Sequence, residues 1–81
     1  MARVLLFGRL RDVAGWRERV VDPSPASLFA LKALLAAEHA ALGEALAATG
    51  VRAAVDKVLV RGDVSLTASA EVAFLSPMSG G

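Results

Sequence analysis

The chain closes on Glu71-Val72-Ala73-Phe74-Leu75-Ser76-Pro77-Met78-Ser79-Gly80-Gly81. Glu71 to Leu75 reads as a strand. Val72 and Phe74 share one of its faces, and Ala73 and Leu75 share the other. Ser76-Pro77 halts it, since proline has no N–H to offer a ladder. Two glycines at the last positions have little folding use, having no side chain to pack and the most entropy to lose when ordered. They make sense if the end itself is used: a free carboxylate on a stalk thin enough to enter a narrow channel in another protein. Residues 76–81 would reach at most ~20 Å when extended. Taken alone, the same ending is equally compatible with a frayed terminus.

The rest of the chain supplies a small mixed domain for that stalk. Arg3 to Gly8 reads as an apolar strand, Arg9 to Ala14 as about one helical turn ended by Gly15, and Trp16 to Val21 as a second strand. Asp22-Pro23-Ser24-Pro25 is a break. Leu28, Leu31, Leu34 and Leu35 then recur at helical spacing, with Ser27 the preferred N-cap and the helix reaching about Glu38 or Ala40. Leu42 and Leu46 suggest a short second helical piece that ends at Thr49-Gly50. Val51 to Val55, a turn at Asp56-Lys57, and Val58 to Val60 restore strand chemistry. Leu66 reads as a plug from a connecting segment. The expectation is a single α+β domain over 1–81, a sheet of four to five strands on one main helix.

Apolar residues fall on both faces of these strands. Val4 and Leu6 oppose Leu5 and Phe7, and Val58 and Val60 oppose Leu59. One substantial helix can cover only one face of a sheet. The surplus set Phe7, Leu59 and Leu75 therefore predicts an exposed apolar patch, of the kind that marks a partner interface.

Composition removes most other functions. The 81 residues are 56% hydrophobic, with mean hydropathy +0.56 and no cysteine. No disulfide or thiolate metal site is possible, and a reducing cytoplasmic setting is the expectation. No apolar run approaches the roughly 20 residues of a membrane helix. Net charge is +1, and the early arginines Arg9, Arg11, Arg17 and Arg19 are interleaved with Asp12, Glu18 and Asp22, unlike a nucleic-acid stripe. His39 is the only histidine, and it reads as a surface residue of the helical segment rather than a ligand. No glycine loop cradles phosphate, and no carboxylate pair is placed for acid–base work. No metal, bound cofactor or self-sufficient catalytic site is expected.

The opening V-L-L-F-G-R-L-R-D-V-A-G (Val4 to Gly15), the segment A-A-V-D-K-V-L-V (Ala53 to Val60) and the closing A-E-V-A-F-L-S-P-M-S-G-G (Ala70 to Gly81) together resemble the ubiquitin-like β-grasp sulfur carriers. Within them the chain is most similar to the molybdopterin synthase small subunits. It departs from that pattern at Asp56, usually asparagine. It departs again at Ala68-Ser69-Ala70, usually an acidic turn, and at Ser76-Pro77, usually a proline pair. The resemblance implies a β-grasp fold. It also implies that a ubiquitin-activating-type adenylyltransferase, using ATP and magnesium, converts the Gly81 carboxylate to an acyl-adenylate. Sulfur transfer then leaves a thiocarboxylate at Gly81. The large synthase subunit takes in Met78, Ser79, Gly80 and Gly81, and sulfur passes to a cyclic pterin precursor. The family's subunit interface maps onto Phe7, Arg11, Leu59 and Leu75. Three other readings stay open: a carrier for thiamine or tungsten-cofactor synthesis, a ubiquitin-like protein modifier, and a plain interaction module.

Overall fold

A computed structural model describes residues 1–77. Among these residues the elements run β1 (Ala2–Phe7), α1 (Arg9–Ala14), β2 (Glu18–Val21), α2 (Leu28–Glu38), α3 (Ala40–Leu46), β3 (Arg52–Val55), β4 (Val58–Val60) and β5 (Glu71–Leu75). They build a five-stranded sheet in the order β2-β1-β5-β3-β4. Its centre is the parallel pair β1–β5, with Val4 opposite Val72 and Phe7 opposite Leu75. The flanking pairings are antiparallel. The first and last strands of the chain are thus neighbours, so the chain leaves the sheet from its middle.

One face of the sheet is dry. Val4, Leu6, Val21, Ala53, Val72 and Phe74 meet Leu28, Leu31 and Leu35 of α2, Leu42 and Leu46 of α3, and Leu10 of α1. The α2 leucines recur at three- and four-residue spacing, which places them on one stripe. α1 and α3 add Leu10, Leu42 and Leu46 to the same core, and α2 is the main helix. Ser27 caps it: its Oγ accepts from the Ala30 amide at 3.1 Å. Asp63 Oδ1 takes a second free donor of that first turn, the Phe29 amide, at 2.8 Å. Leu66 packs half-buried against the core, held by its amide to the Ala26 carbonyl at 2.9 Å.

Three sequence expectations shift. β2 begins at Glu18 rather than Trp16, and β3 at Arg52 rather than Val51. His39 is exposed, as expected, but it does not lie within a helix. Its backbone is extended (φ −149°, ψ 98°), ending α2 and starting α3. Its Nδ1 accepts from the Leu42 amide at 3.2 Å, so the imidazole does the work usually given to serine or asparagine at a helix start.

Candidate functional site: the uncovered sheet face and the seat of the tail

Directly paired residues share a face, so the register spells out the surface that the helices leave open. One row crosses it as Phe7, Leu75 and Arg52, the next as Glu18, Leu5, Ala73, Ala54 and Leu59, and a third holds Val20, Arg3 and Glu71. Phe7, Leu59 and Leu75 all stand on this one face. Phe7 and Leu75 are cross-strand neighbours, with Phe7 48% exposed and Leu75 half-buried. Leu59 is 60% exposed on the edge strand β4. Along its row it is separated from Leu5 of β1 by the low floor of Ala54 and Ala73. Val58 points to the covered side, yet it stands on the edge strand β4 and is 63% exposed, whereas Val60 of the same strand packs against the core. Arg11 is exposed on α1, off the sheet, so the structure does not place it in the apolar rows.

The opposite end of the same face is charged. Arg3 donates from Nε to Glu18 at 2.7 Å and from Nη1 to Glu71 at 3.2 Å. The hydrogen bond from Arg3 holds the Glu18 carboxyl below the usual glutamate range, a small desolvation cost opposing it. The face therefore has an apolar half, towards the end of β5, and a polar half.

The base of the tail sits at that apolar end. The Ser76 hydroxyl accepts from the Arg9 amide at 3.1 Å and donates to the Phe7 carbonyl at 3.3 Å. Gly8, between those two residues, has φ 63° and ψ −136°, a conformation open to glycine and costly for other residues. A Cβ at Gly8 would also collide with the Ser76 Oγ. On the other side, Pro77 lies against Gly50: a Cβ built there would come 3.2 Å from Pro77 Cγ. Gly50 in turn lines a groove of about 370 Å³ whose walls carry Lys32, Arg52 and Arg61. The chain thus departs between the β1–α1 and α3–β3 junctions, with the apolar rows on one side and a cationic groove on the other.

The predicted tail residues Met78, Ser79, Gly80 and Gly81 lie outside the described residues. The sequence reading missed the contacts that hold the tail's base. Its one available signal was Gly8, a glycine at a helix start that has no side chain of its own to cap it. The departures from the family pattern have structural uses. Asp56 sits at φ 50° in the β3–β4 turn, a left-handed position natural to a two-residue hairpin loop. It grips Glu71 with both its amide (2.8 Å to the carbonyl) and its carboxylate (2.9 Å from the amide). Ala70 is fully buried, and its carbonyl accepts from the Arg3 amide at 2.9 Å.

Among the described residues no group of three or more His, Cys, Asp or Glu side chains could hold a metal ion, and no helix is long and apolar enough to cross a membrane. What the arrangement presents is an exposed, partly apolar sheet face with Ser76 and Pro77 held at its edge.

Comparison with solved structures agrees with this geometry. The chain is similar to SAMP1 from Haloferax volcanii, with a TM-score of 0.83 at 24% identity, covering 99% of this chain and 98% of that one. It is also similar to the small archaeal modifier protein 1 from Methanosarcina acetivorans, with a TM-score of 0.82 at 21% identity, over 99% and 95% of the two chains. These likenesses establish the ubiquitin-like β-grasp fold. No curated protein matches the chain. The ThiS family model matches residues 4–81, nearly the whole sequence and through its terminal glycines. The chain belongs to the ThiS family of ubiquitin-like sulfur-carrier domains.

Proposed function

We propose that this chain is the sulfur carrier subunit of a molybdopterin synthase. The observation that carries the reading is the family match running through Gly81. Within that family, the resemblance of Val4 to Gly15 and Ala70 to Gly81 to the molybdopterin synthase small subunits favours the molybdenum pathway. The exposed apolar rows and the seated tail base support a protein that docks on partners and delivers its terminus to them.

The chemistry then belongs to one carboxylate. A terminal carboxylate has a pKa of about 3.3–3.7 and is ionised at neutral pH, where it is a poor electrophile. A ubiquitin-activating-type adenylyltransferase supplies ATP and magnesium. One Gly81 oxygen attacks the α-phosphorus, pyrophosphate leaves, and an acyl-adenylate forms. Hydrosulfide-level sulfur from a donor attacks the acyl carbon, AMP leaves, and the thiocarboxylate remains. The large subunit receives the tail, and the sulfur is passed to the pterin precursor. In this reading the acid–base groups and the metal belong to the partners. With no cysteine in this chain, its terminus is where reactive sulfur would be held.

A second reading has a specific observation behind it. The two similar structures are of proteins named as modifiers, and the same Gly81 acyl-adenylate could be passed to a lysine of a target protein. Mass spectrometry of the protein from its native cell separates the two. Replacement of one terminal oxygen by sulfur, with a pterin-handling large subunit in the pull-down, is the expected result. An isopeptide-linked ladder would establish the modifier. A terminus that is always unmodified would overturn both. A sulfur-bearing terminus with a thiamine- or tungsten-pathway partner would reassign the pathway alone.

A further inference from the structure

We infer that the Ser76 hydroxyl is a positioning group for the tail, capping α1 from outside the helix and so setting the direction in which the chain leaves the sheet. The first amides of a helix have no partner within it. α1 begins after Gly8, and no side chain at its own N-cap satisfies them. The Arg9 amide is satisfied instead by Ser76 at 3.1 Å, and the hydroxyl hydrogen goes to the Phe7 carbonyl at 3.3 Å. The hydroxyl thus acts as donor and acceptor to the two residues that flank Gly8. The missing Cβ of Gly8 is what lets it approach.

Pro77 adds a second hold from the opposite side, against Gly50, with its own φ locked by the ring. Two consecutive residues beyond β5 are therefore set before any partner arrives. A partner that threads the tail meets a single exit direction and is spared the entropy of ordering its base. The hydroxyl acts on Gly81 only through the chain between them. Its loss should weaken productive capture of the tail and leave the chemical step, set inside the partner, unchanged.

The enzymatic arm of the test rests on the sulfur-carrier reading; the spectroscopic arm does not. In the free protein, Ser76→Ala should speed hydrogen exchange of the Arg9 amide and remove the Pro77–Gly50 nuclear Overhauser contact, with the Phe74 core contacts unchanged. In ATP–pyrophosphate exchange with the adenylyltransferase from the same cell, Ser76→Ala should raise KM about five- to tenfold, the cost of ordering roughly one residue, with kcat unchanged. Ser76→Thr, which keeps the hydroxyl, should restore both readouts. Unaltered Arg9 exchange in Ser76→Ala, an unchanged KM, or failure of Ser76→Thr to rescue would overturn the assignment. If the wild-type chain is never adenylated, the sulfur-carrier reading fails, and Arg9 exchange with the Pro77–Gly50 contact decides the seat alone.

Discussion

At the scale of single residues, the chain divides its polar groups between holding geometry and doing chemistry. In the proposed function Gly81 carries the chemistry. Any side chain there widens the stalk and restricts its backbone, so Gly81→Ala should sharply lower sulfur transfer in a reconstituted synthase assay while the circular dichroism spectrum and melting curve stay as in the wild type. Arg3 holds geometry, and its grip on Glu18 is measurable. A carboxyl held below its unfolded value lends stability above the unfolded pKa, and that contribution is lost as pH falls through the folded one. Both side chains are exposed, so screening keeps the energetic effect small. The readout is a side-chain NMR titration: Glu18 should titrate below ordinary glutamate, and Arg3→Gln should return it to that range. Glu18 and Arg3 lie far apart in sequence, and nothing in their spacing announces the pair. The register of β1 on β2, which sets Arg3 opposite Val20 and Leu5 opposite Glu18, brings them together.

At the scale of elements, the two longer helices pack through a small-residue contact. A Cβ at Gly43 of α3 would stand 2.5 Å from Ala36 Cβ and 2.8 Å from Ala36 Cα of α2. The backbone atom cannot step aside as a flexible side chain would. Gly43→Ala gains about 0.8–1.0 kcal/mol in helix propensity. Overpacking costs about 1–3 kcal/mol, and the backbone clash places this site towards the upper part of that range. The expected outcome is a net loss of stability of about 1 kcal/mol or more, read as a lower urea midpoint at unchanged slope. Ala36→Gly in the same chain should recover part of it. The helices themselves were legible from leucine spacing and from Ser27 ahead of the first turn. The break after about Glu38 was legible too, but not the capping role of His39, because histidine is an uncommon cap. The hairpin at Asp56-Lys57 was legible as a turn, whereas the carboxylate bond to Glu71 depends on β5 lying beside β3.

At the scale of the whole molecule, the fold leaves one sheet face uncovered and ends its central strand β5, with Ser76 and Pro77 beyond it, beside the apolar half of that face. If this face docks the large subunit, Phe7→Ser with Leu59→Ser should weaken binding roughly tenfold or more, as loss of interface anchors does. The melting temperature should move by no more than a few degrees, since exposed positions usually contribute within about 0.5 kcal/mol. Isothermal titration against the purified large subunit, beside a thermal melt, would check both halves. By itself the sequence determined which segments are strands and helices and that apolar surface would be left over, because periodicity and glycine placement are local properties. The tertiary structure alone decided that Phe7 and Leu75 are neighbours and that Ser76 and Pro77 are gripped from two sides. Those facts depend on the parallel pairing of the first strand with the last, a contact across nearly the whole chain that no local pattern encodes.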